Sequence, residues 1–178
     1  MMKKNGFTLV ELLLVVALTA LAVGVTGDIL ISLIRGYNKT NVINEIEQNA
    51  NFISQKMTKE IRNAVEITEL NGPSSPVEGE ESTKVTFVDR DGISITYEST
   101  SDTIYRNYNG LGNEPLNINS PPNGVKVSCP GNVCFKLIKG YPQVLQITIL
   151  IEQAGDPSSV VFKGDIMIDD TIVIRDTY

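Results

Sequence analysis

Glu11 is the residue whose setting demands chemistry. It stands at the head of an apolar run in which no residue from Leu12 to Gly27 carries a charge, and Asp28 is the one other charged group between Phe7 and Ile34. An ionised carboxylate inside a membrane's apolar layer costs about 2.5–3.5 kcal/mol on insertion scales, so such groups are as a rule paired and functional. The next helical turns hold no cation, and the nearest positive groups are Lys3 and Lys4. A suitable partner is the α-amino group that cutting after Gly6 would create at Phe7. It would sit at i−4 to Glu11 on the same helix face, or beside it on an adjacent subunit.

Other reactive residues are sparse. The chain has no histidine and no tryptophan, which removes the commonest general base and metal ligand and any Ser-His-Asp arrangement. No glycine-rich phosphate loop is present. The acids of Asp89-Arg90-Asp91-Gly92 and Asp165…Asp169-Asp170 lack the alternating spacing of a calcium loop and read as solvated turn formers. Tyr97, Tyr105, Tyr108 and Tyr141 read as cross-strand packing rather than a stacking surface. With 15 basic and 21 acidic residues, net −6, the balance opposes non-specific nucleic-acid binding. No enzyme, metal or cofactor is expected.

Lys3 and Lys4 precede the apolar run, so the positive-inside rule keeps the N-terminus cytoplasmic and sends the body across the membrane. There a disulfide can persist. Cys129 and Cys134 flank Pro130-Gly131-Asn132-Val133, a turn sequence between two strand-like stretches, Val125–Val127 and Phe135–Leu137. The spacing predicts a hairpin clipped at its end. Two reduced thiols are the alternative, and a zinc site would need two more ligands than the neighbourhood offers.

The segment Lys3-Lys4-Asn5-Gly6-Phe7-Thr8-Leu9-Val10-Glu11-Leu12-Leu13 resembles the prepilin leader and cleavage site of type IV pilins and type II secretion pseudopilins. The likeness runs for about 25 residues. It implies that a prepilin peptidase cuts between Gly6 and Phe7 and methylates the Phe7 amine. It also implies that Glu11 guides assembly with other pilin or pseudopilin subunits, served by inner-membrane assembly machinery. Two plainer readings compete. One is a secretory signal peptide cut near Ala20-Leu21-Ala22, against which stand the glutamate and the helical pattern continuing past Ala22. The other is a membrane anchor with an accidental Glu11.

The elements that would carry these residues follow from periodicity. A helix spans the roughly 30 Å hydrocarbon core with about 20 apolar residues, and residues 7–34 suffice. Beyond them Tyr37, Ile43, Ile46, Ala50, Ile53, Met57, Ile61 and Ala64 recur three or four apart, mostly, among polar neighbours that include Lys56 and Glu60, an amphipathic helix with one buried stripe. The helix is expected to reach about Val65, with Gly24, Gly27 and Gly36 as weak points. Residues 70–83 read as a loop rich in Gly, Pro and Glu. From Lys84 the period becomes two. Strands are expected at Lys84–Val88, Ile93–Glu98, Thr103–Tyr108, Val144–Gln153, Val160–Ile168 and Thr171–Arg175, the last two divided by Asp169-Asp170. Asn109–Gly124 contains no element, and a loop of that length is usually functional or mobile.

The expected organisation is a leader (1–6), an exposed apolar helix half (7–34), an amphipathic half (35–69), a loop (70–83) and a β-rich head (84–178). The apolar sheet face and the helix stripe each need a cover, and packing one on the other gives an α+β, pilin-like fold. Ile93–Arg106 looks similar to the minor pilin and J-type minor pseudopilin branch. The functional expectation is a structural subunit, anchored by a single pass in the cytoplasmic membrane with its head outside, in contact with lipid until it joins a filament. The alternative is a membrane-tethered module that binds a surface, a secreted substrate or DNA through Asn109–Gly124 or the cysteine segment.

Overall fold

The structure, a computed structural model, describes residues 8–72, 74–120, 124–155 and 164–174. Helix α1 runs Leu9–Arg62 and enters both compact units of the chain, Met1–Asn41 and Val42–Tyr178.

In the first unit every described residue is exposed. The helix continues through Gly24–Asp28 without interruption. Its threonines do not spoil its apolar character, because their hydroxyls donate back to carbonyls of the preceding turn: Thr19 to Val15 at 3.0 Å and Thr26 to Ala22 at 2.6 Å. Each of these two hydroxyls is thereby satisfied within the helix, which an apolar surrounding requires.

In the second unit the helix buries Ile46, Ala50, Ile53, Met57 and Ile61, the stripe that the three-and-four spacing predicts. It ends at Arg62, where the Asn63 N–H bonds the carbonyls of both Lys59 and Glu60 at 3.3 and 3.1 Å. Lys59 and Arg62 in the last turn complement the helix dipole. Residues 64–69, expected as helix, instead form strand β1, Ala64–Glu69. Val65, Ile67 and Thr68 are β-branched and fit a strand better than a helix end. Two distant partners secure the change: the strand Lys84–Asp89 pairs with β1, with Ile67 opposite Phe87, and the Gln143 side-chain amide bonds both the N–H and the carbonyl of Ile67, at 2.6 and 3.3 Å.

The remaining strands are β2 (Glu81–Ser82), β3 (Lys84–Asp89), β4 (Ser94–Thr100), β5 (Thr103–Tyr108), β6 (Asn113–Pro115), β7 (Val125–Ser128), β8 (Phe135–Gly140), β9 (Gln143–Gln153) and β10 (Asp165–Val173). They form two antiparallel sheets, one ordered β1-β3-β4-β5-β6 and the other β10-β9-β8-β2, with β7 also on β9. β9 organises the second sheet: Leu145, Ile147, Ile149 and Ile151 are all buried, as its alternation predicts. They join the helix stripe and Val85, Phe87, Ile95, Tyr97 and Ile104 of the first sheet in one core. The α+β class follows.

Three local expectations change. The cysteines do not cap a hairpin. β7 and β8 pair successive stretches of the same strand, Ser128 opposite Leu150 and Phe135 opposite Ile147, so Cys129–Cys134 is an excursion that leaves a strand line and returns to it. Short-range turn signals reveal that the chain reverses locally, but not that it resumes the same partner. Asp169-Asp170 does not divide two strands either, since β10 pairs β9 without a break from Asp165 to Val173. Both carboxylates have partners there: Asp169 accepts from the Gln146 amide at 3.0 Å and Asp170 from the Ser54 hydroxyl at 3.1 Å. The expected Val160–Val161-Phe162-Lys163 part of that region, and Arg175, lie outside the described residues. Finally, the stretch after Tyr108 is tied down. β6 pairs β5, and Asn117, only 3% exposed, bonds the Ile104 N–H (2.9 Å) and the Asp102 and Val125 carbonyls (3.1 and 2.7 Å). Gly124 closes the stretch at φ +132°, where a Cβ would lie 2.3 Å from the Ile118 carbonyl oxygen, so glycine is required.

Candidate functional site

The candidate site begins at the helix N-terminus. Glu11 and Thr8 cap it reciprocally: the Glu11 N–H bonds the Thr8 hydroxyl at 3.3 Å, and a Glu11 carboxylate oxygen stands 3.5 Å from the Thr8 N–H. This is a capping box, Thr-x-x-Glu, which supplies acceptors to N–H groups that the helix leaves open. The spacing was legible in the sequence as Thr8-Leu9-Val10-Glu11, and a reading centred on the Phe7 amine passes over it. Among the described residues no cation lies within ion-pair distance of Glu11. Gly6 and Phe7, the expected processing and methylation positions, lie outside the described residues.

On either side of Glu11, Leu9, Val10, Leu12–Val16, Leu18, Leu21, Val23, Val25 and Ile29–Ile31 are all large and exposed. α1 is long and apolar enough to cross a membrane, and none of that stretch is buried. A helix apolar on every face requires a covering of lipid or of other apolar helices.

Among its described residues the head gathers no reactive constellation. Among the described residues no three His, Cys, Asp or Glu side chains gather as a metal site. Asp89 is engaged in its turn, its Oδ1 accepting from the N–H groups of Asp91 and Ile93, both at 2.9 Å. The sulfurs of Cys129 and Cys134 are at bonding distance, with Cα atoms 4.8 Å apart.

One polar network does stand out, and it joins the amphipathic part of α1 to the first sheet. Glu60, expected on the solvent side of the helix, accepts from the Tyr97 hydroxyl at 2.6 Å and from Arg106 Nε at 3.0 Å, while Arg106 Nη2 reaches its other oxygen at 3.0 Å. Tyr97 and Arg106 are opposite one another on β4 and β5, so one carboxylate grips both strands. Arg106 also approaches Glu114 of β6 (3.5 Å), itself near Lys56 (3.6 Å), and lies over the Tyr108 ring, 4.8 Å from its centre. Burial, reinforced by the bond to Glu60 and that group's charge, pushes the Tyr97 phenol far above its usual pKa. Burial disfavours the Arg106 cation, but Glu60 outweighs it and the pKa of Arg106 is raised. Tyr97 therefore remains a neutral donor and Arg106 a cation, and the network fastens helix to sheet. Period-two reading puts Tyr97 and Arg106 in strands, yet only the long-range register brings Glu60 to them.

Residues 1–27 match the prokaryotic N-terminal methylation motif. The chain thus carries a type IV pilin-like prepilin signal, a motif that implies processing by a prepilin peptidase and assembly with other pilins. No curated protein and no solved structure matches the chain.

Proposed function

We propose that the chain is a structural subunit of an extracytoplasmic filament, of the type IV pilus or type II secretion pseudopilus kind, with no enzymatic activity. The observation that carries this reading is the continuity of the methylation motif with a helix that is apolar and exposed all round. Before assembly, lipid covers that surface. The leucines, isoleucines and valines of residues 9–34 favour insertion by roughly 0.3–0.6 kcal/mol each, which together outweighs the cost of Glu11. After assembly, helices of other subunits replace the lipid. The protein begins as a single-pass protein of the cytoplasmic membrane with its head outside. Peptidase cuts between Gly6 and Phe7 and methylates Phe7. Glu11 then meets the Phe7 amine of a neighbour, which offsets the burial of its charge and sets the register. The resemblance of Ile93–Arg106 supports the narrower reading of a minor pilin or J-type minor pseudopilin, a subunit present in fewer copies than the main one.

N-terminal mass spectrometry of the mature chain is the test. The expected product begins at methylated Phe7, and a chain beginning at Val23 or retaining Met1 refutes the proposal. Glu11→Val is expected to be processed normally yet to be depleted from sheared filaments; undiminished incorporation refutes the role given to Glu11.

A further inference from the structure

The apolar part of α1 carries two charges that the processing signal does not use, Asp28 and Arg35. They bound the run Ile29-Leu30-Ile31-Ser32-Leu33-Ile34. Both are exposed, and among the described residues neither has an ion-pair partner. Within one helix, charges meet at three or four residues' separation. Seven residues put Asp28 and Arg35 about 10.5 Å apart along the axis and within about 20° of the same face.

That face is a heptad seam. Val10, Ala17, Gly24 and Ile31 recur every seven residues, and so do Leu14, Leu21, Asp28 and Arg35. Together they alternate at steps of four and three, the spacing with which parallel helices pack along a seam. The seam is apolar or small at every position except the two charges, and those occupy the same heptad position. Parallel copies in register would set Asp28 against Asp28 and Arg35 against Arg35. A stagger of one heptad sets Asp28 of one copy against Arg35 of the other, which replaces two like-charge contacts by one opposite-charge contact; the other Asp28 then faces Leu21 and the other Arg35 faces Val42. An antiparallel pair would also match the charges, but copies inserted in one membrane with one orientation do not pack that way.

We infer that α1 packs along this seam against a second, parallel copy of the chain staggered by seven residues, with Asp28 of one paired to Arg35 of the other. The inference rests on the assembly reading and adds to it a second axial constraint besides that of Glu11. It requires only two adjacent copies, which a minor subunit can provide. Glu11, off this seam by its azimuth, keeps its separate role.

Charge exchange and cross-linking in the full-length chain, expressed with its assembly partners, test the pairing. Asp28→Arg and Arg35→Asp alone each set like charges together and are expected to lower incorporation into sheared filaments by about tenfold or more, as unpaired buried charges do. The double exchange, Asp28→Arg with Arg35→Asp, restores it. In co-expressed chains carrying Ala17→Cys or Gly24→Cys, oxidation is expected to join residue 17 of one to residue 24 of the other, in excess of 17–17 and 24–24 products. A double exchange as defective as the single variants, unaffected single variants, or dominant 17–17 and 24–24 products each overturn the inference while leaving assembly intact. A parent chain that is processed but never leaves the membrane overturns the assembly reading, and the pairing with it.

Discussion

Replacing Glu60 with alanine tests what holds the head's helix to its first sheet. Glu60 and Arg106 side chains are 20% and 14% exposed, so solvent screens them only partly. The substitution strips the Tyr97 hydroxyl, on a residue that is fully buried, of its acceptor and leaves Arg106 with the more distant Glu114. Removing one partner of a buried pair costs about 3–5 kcal/mol. The remaining approach to Glu114 at 3.5 Å argues for the lower end, about 3 kcal/mol. For a unit the size of Val42–Tyr178, with an unfolding entropy of about 2.1 cal/mol/K per residue, that is a fall in Tm of about 10 °C. Thermal unfolding of the full chain in detergent, followed by tyrosine fluorescence and circular dichroism, measures it. Glu60→Gln keeps an acceptor for Tyr97 but loses the charge and is expected to lose about half as much. A double-mutant cycle with Arg106→Ala should return a coupling of about 2 kcal/mol. If Glu60→Ala lies within about 0.5 kcal/mol of the parent, the network behaves as an exposed surface pair and the reasoning fails.

Two further outcomes follow from the same structure. Folded Tyr97 holds its proton above the usual phenol value, whereas unfolded Tyr97 releases it near that value, about pH 10. Its contribution is therefore complete below about pH 10 and is lost as pH rises beyond, by up to about 1.4 kcal/mol per pH unit. Denaturant titrations from pH 9 to 11.5 should show this decline, and Tyr97→Phe should flatten it; an equal slope in that variant refutes the assignment. For the cysteines, a closed loop of this length contributes about 2 kcal/mol on the chain-entropy model. Cys129→Ser with Cys134→Ser should lower the urea midpoint accordingly and speed amide exchange in β7, whose strand line the excursion interrupts, while unchanged stability and exchange would count against the bond.

The sequence by itself determined the apolar, N-terminal part of α1. A charge-free run behind a Gly-Phe-Thr-Leu-Val-Glu signal specifies its conformation and its need for a covering through composition alone, because every backbone bond of a helix is local. Period-two alternation likewise identified β3, β4, β5 and β9, since a half-buried strand records its burial in the order of its own residues. What only tertiary structure decided depends on residues far apart. Ala64–Glu69 became a strand because Phe87 and Gln143 wait for Ile67. The cysteine segment became an excursion because β9 is long enough to pair with both β7 and β8. Asp169 and Asp170 could stay within a strand because Gln146 and Ser54 reach them. Glu60 turned inward because strand register brings Tyr97 and Arg106 together beneath it. In each case a short-range preference of about a kilocalorie yields to partners contributed from elsewhere in the chain, and no local pattern records where those partners lie.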